Sequence, residues 1–190
     1  MKEQSYFNHT FKSEDHTYEI IKDVEFESCR FENCRLSNAE FSKCKFNDCT
    51  FVDCDMGNTS LYTVALQNCR FVDCRLLGVD FSVCHKFLLE FSFKGCDLNL
   101  SSFFGLKIPN TAFINCRLNE ADFTQVELND AVFDDCDLRG AIFDNSILEN
   151  ADFRTAIGFT INPDGNQIRG ARFSKSGLVG LLEKYQIRIE

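Results

Sequence analysis

Large apolar side chains recur at every fifth position through most of the chain. One series of twelve begins at Phe26 and a second series of twelve begins at Leu98. The first series comprises Phe26, Phe31, Leu36, Phe41, Phe46, Phe51, Met56, Leu61, Leu66, Phe71, Leu76 and Phe81. The second comprises Leu98, Phe103, Ile108, Phe113, Leu118, Phe123, Leu128, Phe133, Leu138, Phe143, Leu148 and Phe153.

Two residues before each large side chain there is usually a small one, such as Cys, Ala, Ser, Thr or Val. A period of five fits neither an α-helix nor a long strand, but a spacing of two is that of a strand. The pattern therefore predicts short extended faces joined by corners, with one small and one large side chain of each face pointing inward. Such coils stack about 4.8 Å apart and form a solenoid.

The cysteines indicate how many faces make one coil. Cys96, Cys116 and Cys136 are 20 residues apart, and cysteines of the first series repeat with the same spacing. Four faces of five residues would stack identical side chains on each other, which packs without voids. We therefore predict an all-β solenoid with a square cross-section.

The two series are out of phase by two residues, since Phe81 and Leu98 are 17 residues apart. We predict a register break within residues 82–92, which is either a contact site for a partner or a simple defect. Residues 1–23 keep large apolar positions but lose their small partners, so we predict an irregular N-terminal cap there. The repeat is expected to span residues 24–175.

Residues 176–185 have apolar side chains at helical spacing, and residues 186–190 alternate like a short strand. One interpretation is a cap over the last coil. The segment is also more apolar than a cap requires, so we predict a homodimer interface. Its residues are Leu178, Leu181, Leu182, Tyr185, Ile187 and Ile189.

The chain has 21 Phe, 11 Cys and no Trp. The cysteines are at least five positions apart and share the inward small slot, which disfavours a zinc site and favours cysteine as a small core residue. Disulfides between coils fit the Cα spacing, but parallel side chains do not point at each other. We found no catalytic constellation and no phosphate loop, and we expect no enzymatic activity, metal, cofactor or small-molecule substrate.

The formal net charge is -9. It argues against direct binding of nucleic acid or an anionic membrane surface, because phosphates would be repelled. The N-terminal sequence has no export signal and no apolar run is long enough for a membrane span. Many cysteines without an export signal predict a cytoplasmic protein with reduced thiols.

The negative charge is concentrated in residues 97–153, where 11 acidic and 3 basic residues give a net charge of -8. We predict a partner-binding acidic face formed by Glu120, Asp122, Glu127, Asp130, Asp134, Asp135, Asp137, Asp144, Glu149 and Asp152. Seven to eight coils make a rod on the order of 36 Å long. An acidic rod resembles duplex DNA, so its expected partner is a basic DNA-binding surface.

Several segments resemble the A(D/N)LXX motif of pentapeptide-repeat proteins, including Cys29-Arg30-Phe31-Glu32-Asn33, Ala121-Asp122-Phe123-Thr124-Gln125 and Ala151-Asp152-Phe153-Arg154-Thr155. This resemblance implies a right-handed quadrilateral β-helix. Residues 71–81, 93–98 and 177–190 are similar to the quinolone-resistance (Qnr) and albicidin- and microcin B-immunity branch, although the long loops of many Qnr proteins are lacking.

That branch implies a homodimeric DNA mimic that binds DNA gyrase, and in some members topoisomerase IV, and protects it from poisons that trap cleaved DNA. The alternative is a pentapeptide-repeat scaffold that binds an unrelated protein.

Overall fold

The structure is a computed structural model that describes residues 5–188. Short parallel strands form three sheets along one right-handed coil. The largest sheet contains β2 (Thr10–Lys12), β5 (Arg30–Glu32), β8 (Thr50–Val52), β10 (Cys69–Val72), β11 (Phe91–Lys94), β12 (Ala112–Ile114), β13 (Val132–Asp134), β14 (Asp152–Phe153) and β15 (Arg172–Phe173). The second contains β1 (Ser5–Phe7), β4 (Glu25–Glu27), β7 (Lys45–Asn47) and β9 (Ala65–Gln67), and the third contains β3 (Ile20–Lys22) and β6 (Glu40–Ser42).

Four faces of five residues make each coil, as the sequence predicts. Paired residues are 20 positions apart in nearly every ladder, for example Phe31 with Phe51. We call the face with the largest sheet face A and the face with β1, β4, β7 and β9 face B. Face C contains the single bridges from Asp15 to Ile157, and face D contains β3, β6 and the bridges from Glu40 to Ile142. The chain visits them in the order B, A, C, D.

Each face ends in a corner residue with a left-handed backbone. In the first coil these residues are Asn8, Ser13, Tyr18 and Asp23, with φ between 48° and 60°. Asn, Asp and Gly fill most later corners, because they adopt this conformation most easily. The corners turn the chain and leave the residues between them extended.

The core of face A is an unbroken stack of phenylalanine rings. Neighbouring rings are parallel, with centroids 4.7 to 5.3 Å apart. The rings belong to Phe11, Phe31, Phe51, Phe71, Phe93, Phe113, Phe133, Phe153 and Phe173. Eight steps of about 4.8 Å make the stack about 38 Å long.

Where the sequence predicts a register break, β10 pairs with β11 so that Cys69 pairs with Phe91, 22 positions away. His85 still donates to Val64 with the regular spacing, whereas Glu90 donates to Leu66, so the two extra residues lie between His85 and Glu90. Phe91 is 4% exposed and occupies a slot that holds cysteine in the preceding coils. Its ring contacts those of Phe81, Phe93 and Phe103 in the core.

The prediction of an irregular cap over residues 1–23 is wrong for the described residues 5–23. They form a complete regular coil whose strands β1, β2 and β3 pair in register with the next coil. Strand pairing uses the backbone, so the loss of small inward residues does not prevent it. One buried inward position of this coil holds a polar side chain. His16 is buried there, between Glu19 Oε2 at 2.8 Å and Glu14 Oε2 at 2.9 Å.

A short helix ends the described chain, as predicted. It consists of a 3-10 turn (Ser176–Leu178), α1 (Val179–Leu182) and a second 3-10 turn (Glu183–Tyr185). The Ile161 amide donates to the carbonyl of Gly180 at 3.1 Å, which fixes the helix on the last coil.

The strand predicted over residues 186–190 does not form in its described part. Gln186 has φ 50° and residues 187–188 pair with no strand. Ile189 and Glu190 lie outside the described residues.

Candidate functional site

The ten acidic residues predicted as one face lie on all four sides of the rod. Asp152 belongs to the ladder of face A, Glu127 to face B, Asp137 to face C and Asp122 to face D. The prediction of a single acidic face is therefore wrong. The chain turns one corner every five residues, so acids that are close in sequence point in different directions.

Four of these acids form ion pairs with basic side chains. Glu127 pairs with Lys107 at 2.6 Å, and Glu149 pairs with Arg169 at 3.4 Å. Asp137 and Asp152 pair with Arg139 and Arg154, their neighbours two positions along.

These arginines change the acidity of their partners. Hydrogen bonds from the Arg139 guanidinium hold the pKa of Asp137 below its usual range, and Arg154 lowers the pKa of Asp152 in the same way. Arg172 approaches Asp152 as well, at 3.1 Å. Part of the negative charge is thus neutralised locally.

Two further acids are half-buried and accept hydrogen bonds from neutral donors. Asp134 Oδ1 accepts from the Thr155 hydroxyl at 2.8 Å, and Asp122 Oδ1 accepts from the Thr124 amide at 2.9 Å. Each carboxylate thus accepts a hydrogen bond within the protein, and only part of its surface is exposed to solvent.

The other four acids are exposed, and no basic group of residues 5–188 lies within ion-pair distance of them. We call Glu120, Asp130, Asp135 and Asp144 the acidic collar. The first three are corner residues with φ of 57°, 57° and 49°. Corners project farthest from the rod axis, so these carboxylates are the ones a large partner meets first.

Face C differs from the collar because its charges alternate. The bridged residues are, in order, Asp15, Arg35, Asp55, Arg75, Asp97, Arg117 and Asp137. Arg35 lies 2.6 Å from Asp15, Arg75 lies 3.0 Å from Asp55 and Arg117 lies 2.9 Å from Asp97. This column is nearly neutral, which makes face C a poor match for a basic partner surface. The alternation is readable in the sequence at a spacing of 20, once the coil length is known.

The cysteines are core residues, as predicted. All eleven are free thiols and buried. Most donate weak hydrogen bonds to backbone carbonyls, as Cys49 does to Phe26 at 3.4 Å. Among residues 5–188, no group of His, Cys, Asp and Glu side chains is arranged to hold a metal ion, and no helix has the length and apolarity needed to span a membrane.

The residues predicted for a dimer interface separate into two groups. Leu181 packs against the core and Leu182 is half-buried, so both serve the cap. Leu178, Tyr185 and Ile187 are between 46% and 56% exposed. Ile189 lies outside the described residues.

A family model for the Pentapeptide repeat region matches residues 24–103, 87–153 and 106–181. The chain therefore belongs to the pentapeptide-repeat family. No curated protein sequence matches it.

Two solved structures of trypsin-treated variants of QnrB1, a plasmid-mediated fluoroquinolone resistance protein, superimpose on this chain. The first has a TM-score of 0.57 at 18% identity and covers 98% of this chain and 97% of its own. The second has a TM-score of 0.55 at 18% identity and covers 98% and 99%. HetL, a pentapeptide-repeat protein involved in heterocyst differentiation regulation from the cyanobacterium Nostoc, has a TM-score of 0.47 at 15% identity and covers 93% and 91%. The likeness to QnrB1 shows the fold.

Proposed function

We propose that this protein binds DNA gyrase by imitating duplex DNA and protects the enzyme from topoisomerase poisons. The observation that carries the proposal is the acidic collar. Its carboxylates are exposed, unpaired within the described chain and distributed around a rod, as phosphates are around a duplex. A basic groove that accepts DNA would be attracted to this surface.

The fold supports the choice of partner. The chain shares its whole architecture with QnrB1, which is a fluoroquinolone resistance protein. A protein that occupies the DNA groove of gyrase would compete with the DNA that a poison traps. The same reasoning extends to topoisomerase IV, whose substrate is also duplex DNA.

We include a homodimer in this proposal. The exposed apolar residues Leu178, Tyr185 and Ile187 lie at the C-terminal end of the rod, next to the coils that carry the collar. Joining two chains there would bury apolar surface that water otherwise contacts. The result would be a continuous acidic rod of about 80 Å, from two stacks of about 38 Å.

The direct test measures supercoiling by purified gyrase in the presence of a fluoroquinolone or albicidin, with increasing amounts of this protein. We expect supercoiling to be rescued. A triple variant with Asp130, Asp135 and Asp144 changed to Lys should lose binding and rescue.

A matched control changes Glu27, Asp48 and Asp53 to Lys. Asp48 and Asp53 are corner residues with φ of 53° and 51°, like Asp130 and Asp135, but they lie in the N-terminal coils. The control has the same net charge as the triple variant and should keep most of the rescue. Equal loss in both variants would mean that only total charge matters, and no rescue by the unaltered protein would favour a scaffold with another partner.

A further inference from the structure

The register break exposes two large apolar side chains that the core does not need. Phe87 is 68% exposed and Leu88 is 62% exposed, on a segment that the two extra residues push outward. Phe91 fills the interior beneath them. Phe87 and Leu88 therefore form a small apolar surface patch outside the core.

Phe87 forms one wall of a surface groove of about 500 Å³ on face B. The size is within the range of small-molecule sites, which is roughly 300 to 1,000 Å³. Other parts of the groove are formed by Lys43, Lys45, Thr63, Ala65 and His85. The groove thus combines the aromatic ring of Phe87, the small apolar side chain of Ala65 and the ammonium groups of Lys43 and Lys45.

His85 and the two lysines supply N–H donors to the groove. The Phe87 amide donates to His85 Nδ1 at 3.4 Å, which leaves the proton on Nε2 of that ring. Lys45 is paired with Glu25. Lys43 forms no ion pair within residues 5–188, although Asp23 occupies the corresponding corner one coil earlier. The Lys43 ammonium and the exposed Phe87 ring both line this groove.

We propose that this groove binds a small planar aromatic carboxylate. The aromatic ring of the ligand would lie between Phe87 and the floor at Ala65, where offset stacking and apolar burial are available. Its carboxylate would accept hydrogen bonds from the Lys43 ammonium, a charge-assisted contact. The site is separate from the acidic collar, so it is independent of the proposed function.

The test is a titration of the purified protein with 2-naphthoate, in which binding is measured by isothermal titration calorimetry and by ligand-observed NMR. We expect saturable binding to one site. Phe87→Ala and Lys43→Glu should each weaken binding by about tenfold or more, since each removes one of the two recognition elements. The neutral analogue 2-naphthamide should bind the unaltered protein weakly, because it has no carboxylate to contact the Lys43 ammonium.

Two control variants test whether a loss of binding comes from the groove itself or from losing any exposed ring or any positive charge. Phe7→Ala removes another exposed ring of face B, and Lys22→Glu makes the same charge change outside the groove. Both should bind 2-naphthoate like the unaltered protein, and circular dichroism should show all four variants folded. The proposal is overturned if 2-naphthoate does not bind, if 2-naphthamide binds equally well, or if the groove variants behave like the controls.

Discussion

The guanidinium of Arg117 lies 2.9 Å from the carboxylate of Asp97, one coil below it on face C. Asp97 is bridged to Arg75 on its other side, so each acid inside this column has an arginine above and below. Along this column, aspartate and arginine alternate from one coil to the next. Its charges stabilise neighbouring coils modestly, because exposed pairs contribute about 0.2–1 kcal/mol each.

Asp97→Arg should destabilise the fold by about 1 kcal/mol, because it places three arginines in consecutive coils. Urea unfolding in low salt measures the effect, and about 1 M NaCl should reduce it. Ser102→Arg is the matched control, since Ser102 is bridged to Asp80 and Asp122 on face D. That change places an arginine between two aspartates and should leave stability equal or higher. If Asp97→Arg and Ser102→Arg destabilise the protein equally, the alternating charges of face C do not contribute to its stability.

Phe91→Ala should lower the free energy of unfolding by about 3–5 kcal/mol, because it empties the interior under the register break. Leu88→Ala, in the same segment but 62% exposed, should change it by less than about 0.5 kcal/mol. Urea denaturation followed by circular dichroism compares the two. A small effect of Phe91→Ala would mean that neighbouring side chains collapse into the space.

Alkaline pH should unfold the protein through its cysteines. Burial raises the pKa of the Cys49 thiol to about 12 and also raises the pKa values of Cys44 and Cys69. A thiol with a raised folded pKa gives its full stability below its unfolded value near 9, and that stability is lost as the pH rises toward 12. The urea midpoint should therefore fall as the pH rises from about 9 toward about 12.

Cys49→Ser isolates one thiol from this effect. Serine does not titrate, so the variant's loss of stability should be smaller by up to about 1.4 kcal/mol per pH unit. Serine already fills an equivalent slot at Ser146, whose hydroxyl donates to Phe123 at 2.6 Å. An unchanged pH dependence would assign the alkaline unfolding to other groups.

Gly180→Ala should detach the C-terminal helix. A Cβ at this position would lie 2.1 Å from the carbonyl oxygen of Phe159, a backbone atom that cannot move aside cheaply. Alanine favours helix over glycine by about 1 kcal/mol, so a loss of stability here would come from the contact and not from propensity. Val179→Ala, at an exposed position of the same helix, is the control. Thermal melting and proteolysis near residue 176 measure the outcome.

The double variant Leu178→Glu with Ile187→Glu should convert the proposed dimer to a monomer in sedimentation velocity. Burying two carboxylates without partners in an apolar interface is strongly unfavourable. Ile20→Glu with Ile142→Glu changes two similarly exposed isoleucines on face D and should leave the dimer intact. If unaltered protein is already a monomer, the dimer proposal is wrong.

The sequence predicted the parts of this fold that repeat. The period of five, the four faces and the two-residue shift were readable because each inward slot imposes one side-chain size. The first coil differs from the prediction because backbone pairing does not require the small inward residues that this coil lacks. His16 takes a position there that is apolar in later coils.

The candidate site was less predictable. Charge counts along the chain located the acidic coils, but they did not show which acids are paired. Glu149 and Asp144 look alike in sequence, yet only Glu149 has an arginine one coil away, at Arg169. Deciding between them requires both the coil length and the side-chain conformations.

The phenylalanine stack of face A continues without a gap past the two extra residues of face B, with Phe71 and Phe93 still 5.2 Å apart. The insertion is absorbed at one corner, and the coils on either side remain aligned. A pentapeptide solenoid can thus accept two extra residues on one face while the coils on both sides stay stacked in the same direction. Evolution can alter the surface at such a corner, residue by residue, without rebuilding the framework that carries it.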